Sequence, residues 1–191
     1  KVQLPNSKYI LPLFYEKDGR YKGLLPEILN DLQTIIGVPF KITKDNGDIN
    51  AYIIKNQKKT EKYIFSTPYY SSDLGIANKK LDSYRASISD LDNKKVLVVE
   101  NSYFYEYLPQ VTKDITIIPV KSVQEGLKKL AAGHGDYFVG FSSVIRGAIT
   151  NEFLDDEVKI AGTINENMAI SLGVKKNEEE LSQLVNTIMR S

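Results

Sequence analysis

Few side chains in this sequence suit chemical catalysis. The chain contains no cysteine and a single histidine, His134, which lies in a Gly-His-Gly turn. Disulfides and thiol nucleophiles are thereby excluded, and multi-histidine metal sites and Ser-His machinery are disfavoured. The acid runs at 155–157 and 178–180 are typical of solvated loops and first helical turns. We therefore expect no catalytic residue, no metal site and no cofactor.

Hydroxyl groups at predicted helix starts suit ligand binding better. Ser102 follows a dense apolar strand at 96–99 and is predicted to cap the next helix. Together with Asn101, its hydroxyl and the free backbone donors could hold a carboxylate or a similar acceptor. The alternative is a plain helix cap that binds nothing. Ser142 is likewise predicted to be the N-cap of a later helix.

Charge and length limit the choice of partners. The 191 residues carry 25 basic and 24 acidic side chains, interspersed, for a formal net charge of +1. This balance excludes nucleic acid and an anionic membrane surface as main partners. No apolar run approaches the roughly 20 residues of a transmembrane helix. No leader pattern precedes Lys1, so we expect a mature or excised segment.

Alternating strands and helices indicate an α/β protein. Apolar residues at helical spacing predict a helix at 23–36, with Pro26 in its first turn and Gly37 as its stop. Strands predicted at 1–4 and 38–43 flank it and imply a parallel sheet. The hydrophobic pattern predicts further strands at 96–99, 115–120, 136–140, 158–160 and 168–174, and helices at 102–108, 122–133, 142–150 and 178–189.

The stretch FSTPYYSSDLGIANKK at 65–80 predicts an extended crossover between two compact bodies, with a Ser-Ser-Asp turn inside it. Its opening resembles the F-S-x-P-Y hinge of the family 3 type II periplasmic solute-binding proteins. Residues 12–42, GDINA at 47–51, and the segments around 91–108, 122–140 and 158–188 are similar to further family motifs in the family's order. One departure is a missing short helix between Phe40 and Gly47.

The resemblance implies the type II periplasmic-binding-protein fold, with two α/β lobes and two hinge crossovers. Lobe 1 would comprise residues 1–80 plus 163–191, and lobe 2 residues 81–162. In this family a small molecule is bound in the cleft between the lobes. Amino-acid-binding members hold the α-carboxylate with an Arg shortly before the hinge, and the amino group with an acid after the strand that ends near Gly140.

This chain lacks both anchors. The stretch at 58–64 contains no Arg, and Lys59 is the best substitute, although the lysines there could simply be solvated. Phe141 stands where the acid is expected and cannot pair with an ammonium. Aromatic side chains would line the cleft, although each one could equally be core or hinge packing. The predicted ligand-binding residues are Tyr9, Phe14, Lys59, Tyr69, Tyr70, Asn101, Ser102, Tyr103, Phe141 and Ser142.

The resemblance therefore implies a small-molecule-binding Venus flytrap sensor domain of a membrane receptor, such as a histidine kinase or a diguanylate cyclase. It also implies a periplasmic or extracellular location, tethering to the inner membrane, and a signalling module as partner, and it allows a homodimer. The ligand is expected to be a carboxylate-bearing or other polar metabolite, but not a standard amino acid. The alternatives are the binding component of an ABC importer, and an enzyme on the same fold, such as a dehydratase or part of a lytic transglycosylase.

We expect that no standard L-amino acid binds this chain in the micromolar range. A buried carboxylate or ammonium left without a partner costs several kcal/mol, by order of magnitude. Isothermal calorimetry against the standard set checks this expectation. Micromolar binding of any member would overturn it and would point to Lys59 as the carboxylate partner.

Overall fold

The computed structural model describes residues 1–5, 9–55 and 57–190, without the side chains at 9, 57 and 167. The Pro-Asn-Ser segment at 5–7, expected to turn, lies largely outside the described residues. In chain order the elements are β1 (Val2–Gln3), β2 (Tyr9–Ile10), β3 (Phe14–Lys17), β4 (Arg20–Lys22), α1 (Leu24–Ile36), β5 (Ile42–Thr43), β6 (Ile49–Ile54), α2 (Gln57–Lys62), β7 (Tyr63–Phe65), β8 (Tyr70–Lys79), a 3₁₀ helix (Ile88–Leu91), β9 (Lys95–Val99), α3 (Tyr103–Val111), β10 (Thr116–Val120), α4 (Val123–Ala131), β11 (Tyr137–Phe141), α5 (Ser142–Asn151), β12 (Val158–Lys175) and α6 (Glu179–Ile188).

The chain forms two compact units. Unit 1 comprises Lys1–Lys8, Leu13–Ser71 and Met168–Ser191, and unit 2 comprises Tyr9–Pro12 and Ser72–Asn167. The main passages from one unit to the other therefore lie inside β8 and β12. The family resemblance led us to expect these passages near residues 80 and 163.

Unit 1 is built on a mixed sheet. β1 lies between β5 and β6 and is parallel to both, as the strand–helix–strand pattern predicted. The return strand β12 is antiparallel to β6 and to β7. Its register shifts between Ser171 and Gly173. The last helix, α6, buries Val185 and contacts β7 of the same unit.

The first helix of unit 1 follows its sequence pattern closely. α1 buries Leu25, Leu29 and Leu32 on one face. It ends at Gly37, whose φ of 74° favours glycine and whose N–H donates to the carbonyl of Gln33. Before it, β3 and β4 form an antiparallel hairpin around Asp18 and Gly19, both at positive φ. This is the turn that Asp-Gly predicted.

Unit 2 has a four-stranded arrangement in the order β10-β9-β11-β8. β9 is parallel to β10 and β11, whereas β8 is antiparallel to β11. Helices α4 and α5 cover the sheet with apolar side chains. The resulting core includes Leu97, Leu127, Leu130, Phe138, Ile145 and Ile149.

Three local predictions were wrong, and one helix was not predicted. Residues 38–41 are not a strand, and only Ile42–Thr43 pairs with β1. The Ser-Ser-Asp segment at 71–73 is part of the continuous strand β8 and not a turn. The two strands expected at 158–160 and 168–174 are one strand, β12. The lysine-rich stretch before the hinge motif, for which the sequence predicted no element, contains the helix α2. In each case neighbouring chain segments, and not local propensity, decide the backbone conformation.

Two other features agree with what the sequence predicted. Within the described residues, no helix lies between Phe40 and Gly47, as the trimmed motif indicated. No helix in the described part of the chain is long and apolar enough to cross a membrane.

Two helical glycines provide a matched test of the core of unit 2. A Cβ on Gly126 in α4 would overlap the ring of the buried Phe138 and would lie 3.2 Å from Val120 Cγ2. A Cβ on Gly147 in α5 would meet only Leu11, at an ordinary 3.7 Å. We expect Gly126→Ala to lower the free energy of unfolding by about 1–3 kcal/mol through overpacking. Gly147→Ala should be neutral or stabilising by up to about 1 kcal/mol, since Ala favours helix over Gly.

Chemical denaturation of both variants measures these two changes. Equal effects of the two substitutions would contradict the close packing of α4 on β11.

Candidate functional site

The start of α3 in unit 2 follows β9 through a tight turn. Asn101 has a φ of 58°, a conformation that asparagine tolerates better than most residues. The Ser102 Oγ accepts a hydrogen bond from the Tyr105 N–H at 3.4 Å, so the predicted N-cap is confirmed. A hydroxyl also has a hydrogen to donate and a second lone pair. Capping therefore leaves Ser102 able to make one further polar contact.

Two tyrosines one turn apart on α3 lie beside a carboxylate from β12. The rings of Tyr103 and Tyr107 stack with centroids 5.4 Å apart and planes 20° apart. The Tyr107 hydroxyl donates to Oε1 of Glu166 at 2.5 Å. Burial raises the pKa of Tyr107, and the hydrogen bond to Glu166 and the charge of that carboxylate raise it further. Burial and the Glu166 charge also raise the pKa of Tyr103. Both phenols therefore stay neutral at physiological pH.

Phe141 is part of the core of unit 2. It is the last residue of β11, it is 4% exposed, and its ring meets the ring of Phe104 edge to face at 5.1 Å. The position where the resemblance leads one to expect an acid is thus occupied by a buried aromatic pair. A role of Phe141 in lining a ligand site stays a prediction.

The start of α5 corrects the predicted role of Ser142. The helix begins at Ser142 itself, and the N-cap position is occupied by Phe141, which makes no side-chain cap. The hydroxyl of Ser72, on β8, takes over this function. Its Oγ accepts hydrogen bonds from the Ser143 N–H at 3.4 Å and from the Ser143 Oγ at 2.9 Å, and it lies 3.4 Å from the Ser142 Oγ. Because β11 runs directly into α5, no residue is left between them to act as a local cap.

Three phenols lie close together in unit 1. The Tyr69 hydroxyl donates to the carbonyl of Ala51 on β6 at 2.8 Å, and the Tyr69 N–H donates to the Ile170 carbonyl at 3.0 Å. Burial raises the pKa of Tyr69, and the neighbouring Tyr52 raises it a little further. Burial also raises the pKa of Tyr52, with a smaller effect from Tyr70. Tyr69 is therefore held by two hydrogen bonds to the backbone. Tyr69 and its neighbour Tyr70, at the start of β8, are both half-buried.

The other predicted site residues are spread over both units. Phe14 is 1% exposed and stacks on Tyr21 of the hairpin at 5.0 Å, which makes it a core residue of unit 1. Lys59 is half-buried in α2. Tyr9 begins β2, and its side chain lies outside the described residues.

A shallow groove of about 520 Å³ in unit 2 contains none of the predicted site residues. The Nζ of Lys80, in its lining, donates to the Asp155 carbonyl at 2.7 Å. The Nζ of Lys159 donates to three carbonyls, including that of Lys80 at 2.6 Å. These two lysines hold the loop at 79–82 in place, which explains their presence in the lining of the groove without a ligand.

The comparisons with known proteins agree on one architecture. No protein-family model matches the chain. Among curated proteins, it is 22% identical over 195 residues to the virulence sensor protein BvgS of Bordetella bronchiseptica. This match covers 95% of the chain but only 16% of the length of BvgS.

Solved structures extend the comparison. The periplasmic VFT2 domain of Bordetella pertussis BvgS superimposes with a TM-score of 0.79 at 20% identity, covering 100% of this chain and 86% of that one. The arginine-bound form of truncated ArgBP from T. maritima gives 0.85 at 18% identity, covering 99% and 93%. The chain has the type II periplasmic-binding-protein fold.

This Venus flytrap fold is the one that the hinge motif and the ordered family fragments predicted. It accounts for a chain in which residues from both ends build unit 1 and a central segment builds most of unit 2. At this level of identity the likeness establishes the fold, while the roles of individual residues stay predictions.

Three polar residues of the flytrap domain were missed from the sequence. The sequence pattern assigns Ser72 to a turn, and it places Tyr107 only within a predicted helix. Glu166 lies in the stretch TINEN, where no spacing or motif distinguishes it. Its position beside Tyr107 depends on the pairing of β12, so no local signal could have revealed it.

The contact of Tyr69 with Ala51 gives a test of whether this tyrosine is structural. We expect Tyr69→Phe to lower the free energy of unfolding by about 1–3 kcal/mol, because it leaves a partly buried carbonyl without its donor. Tyr105→Phe, at the more exposed start of α3, is the control and should change little. Urea denaturation measures both variants. An unchanged midpoint for Tyr69→Phe would contradict a structural role of this hydroxyl.

Proposed function

We propose that this chain is the ligand-sensing Venus flytrap domain of a membrane signalling receptor. The observation that carries the proposal is the match to BvgS, which spans 95% of this chain and 16% of that sensor protein. The chain thus corresponds in length to one module of a much larger receptor. The similarity to the BvgS periplasmic VFT2 domain supports a periplasmic location.

The proposed mechanism is a ligand-dependent shift between two arrangements of the domain, with units 1 and 2 acting as its lobes. A ligand can shift such an equilibrium only as far as its affinities for the two states differ. We therefore expect ligand contacts from residues of both units. The candidates are Asn101 and Ser102 in unit 2, and Lys59 and Tyr70 in unit 1.

The proposed partner is a membrane-anchored signalling module, such as a histidine kinase or a diguanylate cyclase, in the same receptor. A transmembrane segment and such a module encoded next to this domain would support the proposal.

A second candidate is the binding component of an ABC importer, and the likeness to ArgBP supports it. A lipoprotein attachment motif on the encoded protein, with no signalling module beside it, would favour this alternative. An enzyme on the same fold is a weaker candidate. The similar proteins are a sensor domain and a binding protein, and we propose that the domain itself has no catalytic activity.

A thermal-shift screen against classes of metabolites tests ligand binding, because a ligand that binds only the native state raises its apparent stability. A screen in which no class raises the melting temperature would contradict the proposed function.

Two helix caps provide a matched pair for locating the site with a ligand from this screen. Ser102→Ala should weaken binding by about 1 kcal/mol or more, the usual contribution of one hydrogen bond. Ser122→Ala removes the cap of α4, where Oγ accepts the Glu125 N–H at 3.1 Å, and should leave the affinity unchanged. Both should lower stability by about 1 kcal/mol. Calorimetric titration separates the two effects.

Tyr70→Ala tests the contribution of unit 1. It should lower affinity and abolish any ligand-induced decrease in the radius of gyration measured by X-ray scattering. If Ser102→Ala and Tyr70→Ala both bind and respond like the parent, the ligand contacts lie elsewhere.

A further inference from the structure

We propose that Glu166, Tyr103 and Tyr107 form a subsite of unit 2 that binds an organic cation, a primary ammonium or a guanidinium group. This inference rests on the proposed ligand-binding function and specifies the chemical class of the ligand. The three residues belong to one compact unit, so the subsite depends on the internal structure of unit 2 alone.

The first argument is the unbalanced charge of Glu166. Its Oε1 accepts a hydrogen bond from the Tyr107 hydroxyl, which is neutral. Among the ion pairs that the described residues form, none involves Glu166. The side chain is exposed, so its second oxygen is open to a partner from solution. The Tyr107 hydroxyl supplies no countercharge, and a carboxylate oxygen is a suitable acceptor for an ammonium or a guanidinium.

The second argument is the aromatic surface at the same place. Tyr103 and Tyr107 stack face to face, and both are half-buried, so part of this aromatic surface is accessible to solvent. The Tyr107 hydroxyl donates to Glu166, and the Tyr103 ring stacks on the Tyr107 ring, so the carboxylate and the two rings belong to one cluster. Aromatic faces attract cations, and phenolic oxygens accept hydrogen bonds from them. An anionic ligand would be repelled by Glu166 at this position.

The third argument concerns what the rest of the chain lacks. No Arg lies at 58–65 to hold an α-carboxylate, and Phe141 is buried against Phe104 where an acid for an amino group was expected. A carboxylate is nevertheless available in unit 2, on β12. The chemistry therefore favours an amine or a guanidine that lacks the α-carboxylate of an amino acid.

A purely structural role is the competing explanation, in which the Tyr107–Glu166 hydrogen bond only ties α3 to β12. Glu166→Gln separates the two explanations. The amide oxygen can still accept from Tyr107, so the link between α3 and β12 is kept, while the negative charge is removed.

The probes are putrescine, agmatine, 1,4-butanediol and succinate. Putrescine and 1,4-butanediol have the same carbon chain and differ in carrying ammonium or hydroxyl groups. We expect putrescine or agmatine to raise the melting temperature and to give a calorimetric binding isotherm, and the diol and succinate to do neither. The affinity for the cation should fall with rising salt concentration, because charge attraction is screened.

Glu166→Gln should weaken cation binding at least tenfold without lowering the melting temperature of the ligand-free protein. Tyr107→Phe keeps the ring and should weaken binding only a few-fold. Glu157→Gln makes the same change at an exposed acid elsewhere in unit 2 and should bind like the parent.

Equal binding by Glu166→Gln and the parent would overturn the subsite, as would a thermal shift from the diol or succinate but from neither cation. The subsite is also overturned if none of the four probes binds while another metabolite class does, and the proposed ligand-binding function then stands. Only a screen in which no compound of any class binds overturns both proposals.

Discussion

Unit 1 depends on the pairing of one strand that arrives from the far end of the sequence. Residues 170–175 of β12 pair with β6 and β7, two strands that lie before residue 66 in the sequence. Where its register shifts, Ser66 restores the hydrogen bonding: its N–H donates to the Leu172 carbonyl at 2.9 Å, and its Oγ accepts the Leu172 N–H at 3.0 Å. Ser66 is 5% exposed, so without this hydroxyl the Leu172 N–H would be buried and unpaired. Ser66, the serine of the hinge motif, thus has a structural role that is independent of any ligand.

Elements whose conformation is decided locally could be predicted from the sequence. The α1 helix has its apolar stripe, its proline in the first turn and its terminal Gly37 within a single segment. The Asp18-Gly19 hairpin and the caps at Ser102 and Ser122 also need only neighbouring residues. In these cases the side chain that satisfies a backbone group lies within four residues of it, so sequence and structure agree.

Elements that depend on distant pairing could not be predicted in the same way. Ser142 matches a local capping pattern, but β11 continues to Phe141, and the cap comes from Ser72, some 70 positions earlier in the chain. Polar side chains in 163–167 suggested a break between two strands, whereas β12 runs through them. The candidate site follows the same division, since the sequence identified Ser102 and Tyr103 on α3 but missed Glu166, whose place depends on β12.

The difference between local and distant interactions also applies to residues that could select a ligand. A charged ligand group needs an opposite charge held at a fixed place, and a strand inside a sheet holds its side chains more firmly than a loop does. Phe141 contributes to the core instead of carrying a charge, and its edge-to-face contact with Phe104 supports the helix on which Tyr103 and Tyr107 lie. Glu166, on β12, accepts a hydrogen bond from the Tyr107 hydroxyl. Later residues of the same strand pair with β6 in unit 1. The packing of one aromatic core and the pairing of one strand therefore determine where the Glu166 carboxylate lies relative to the two tyrosines.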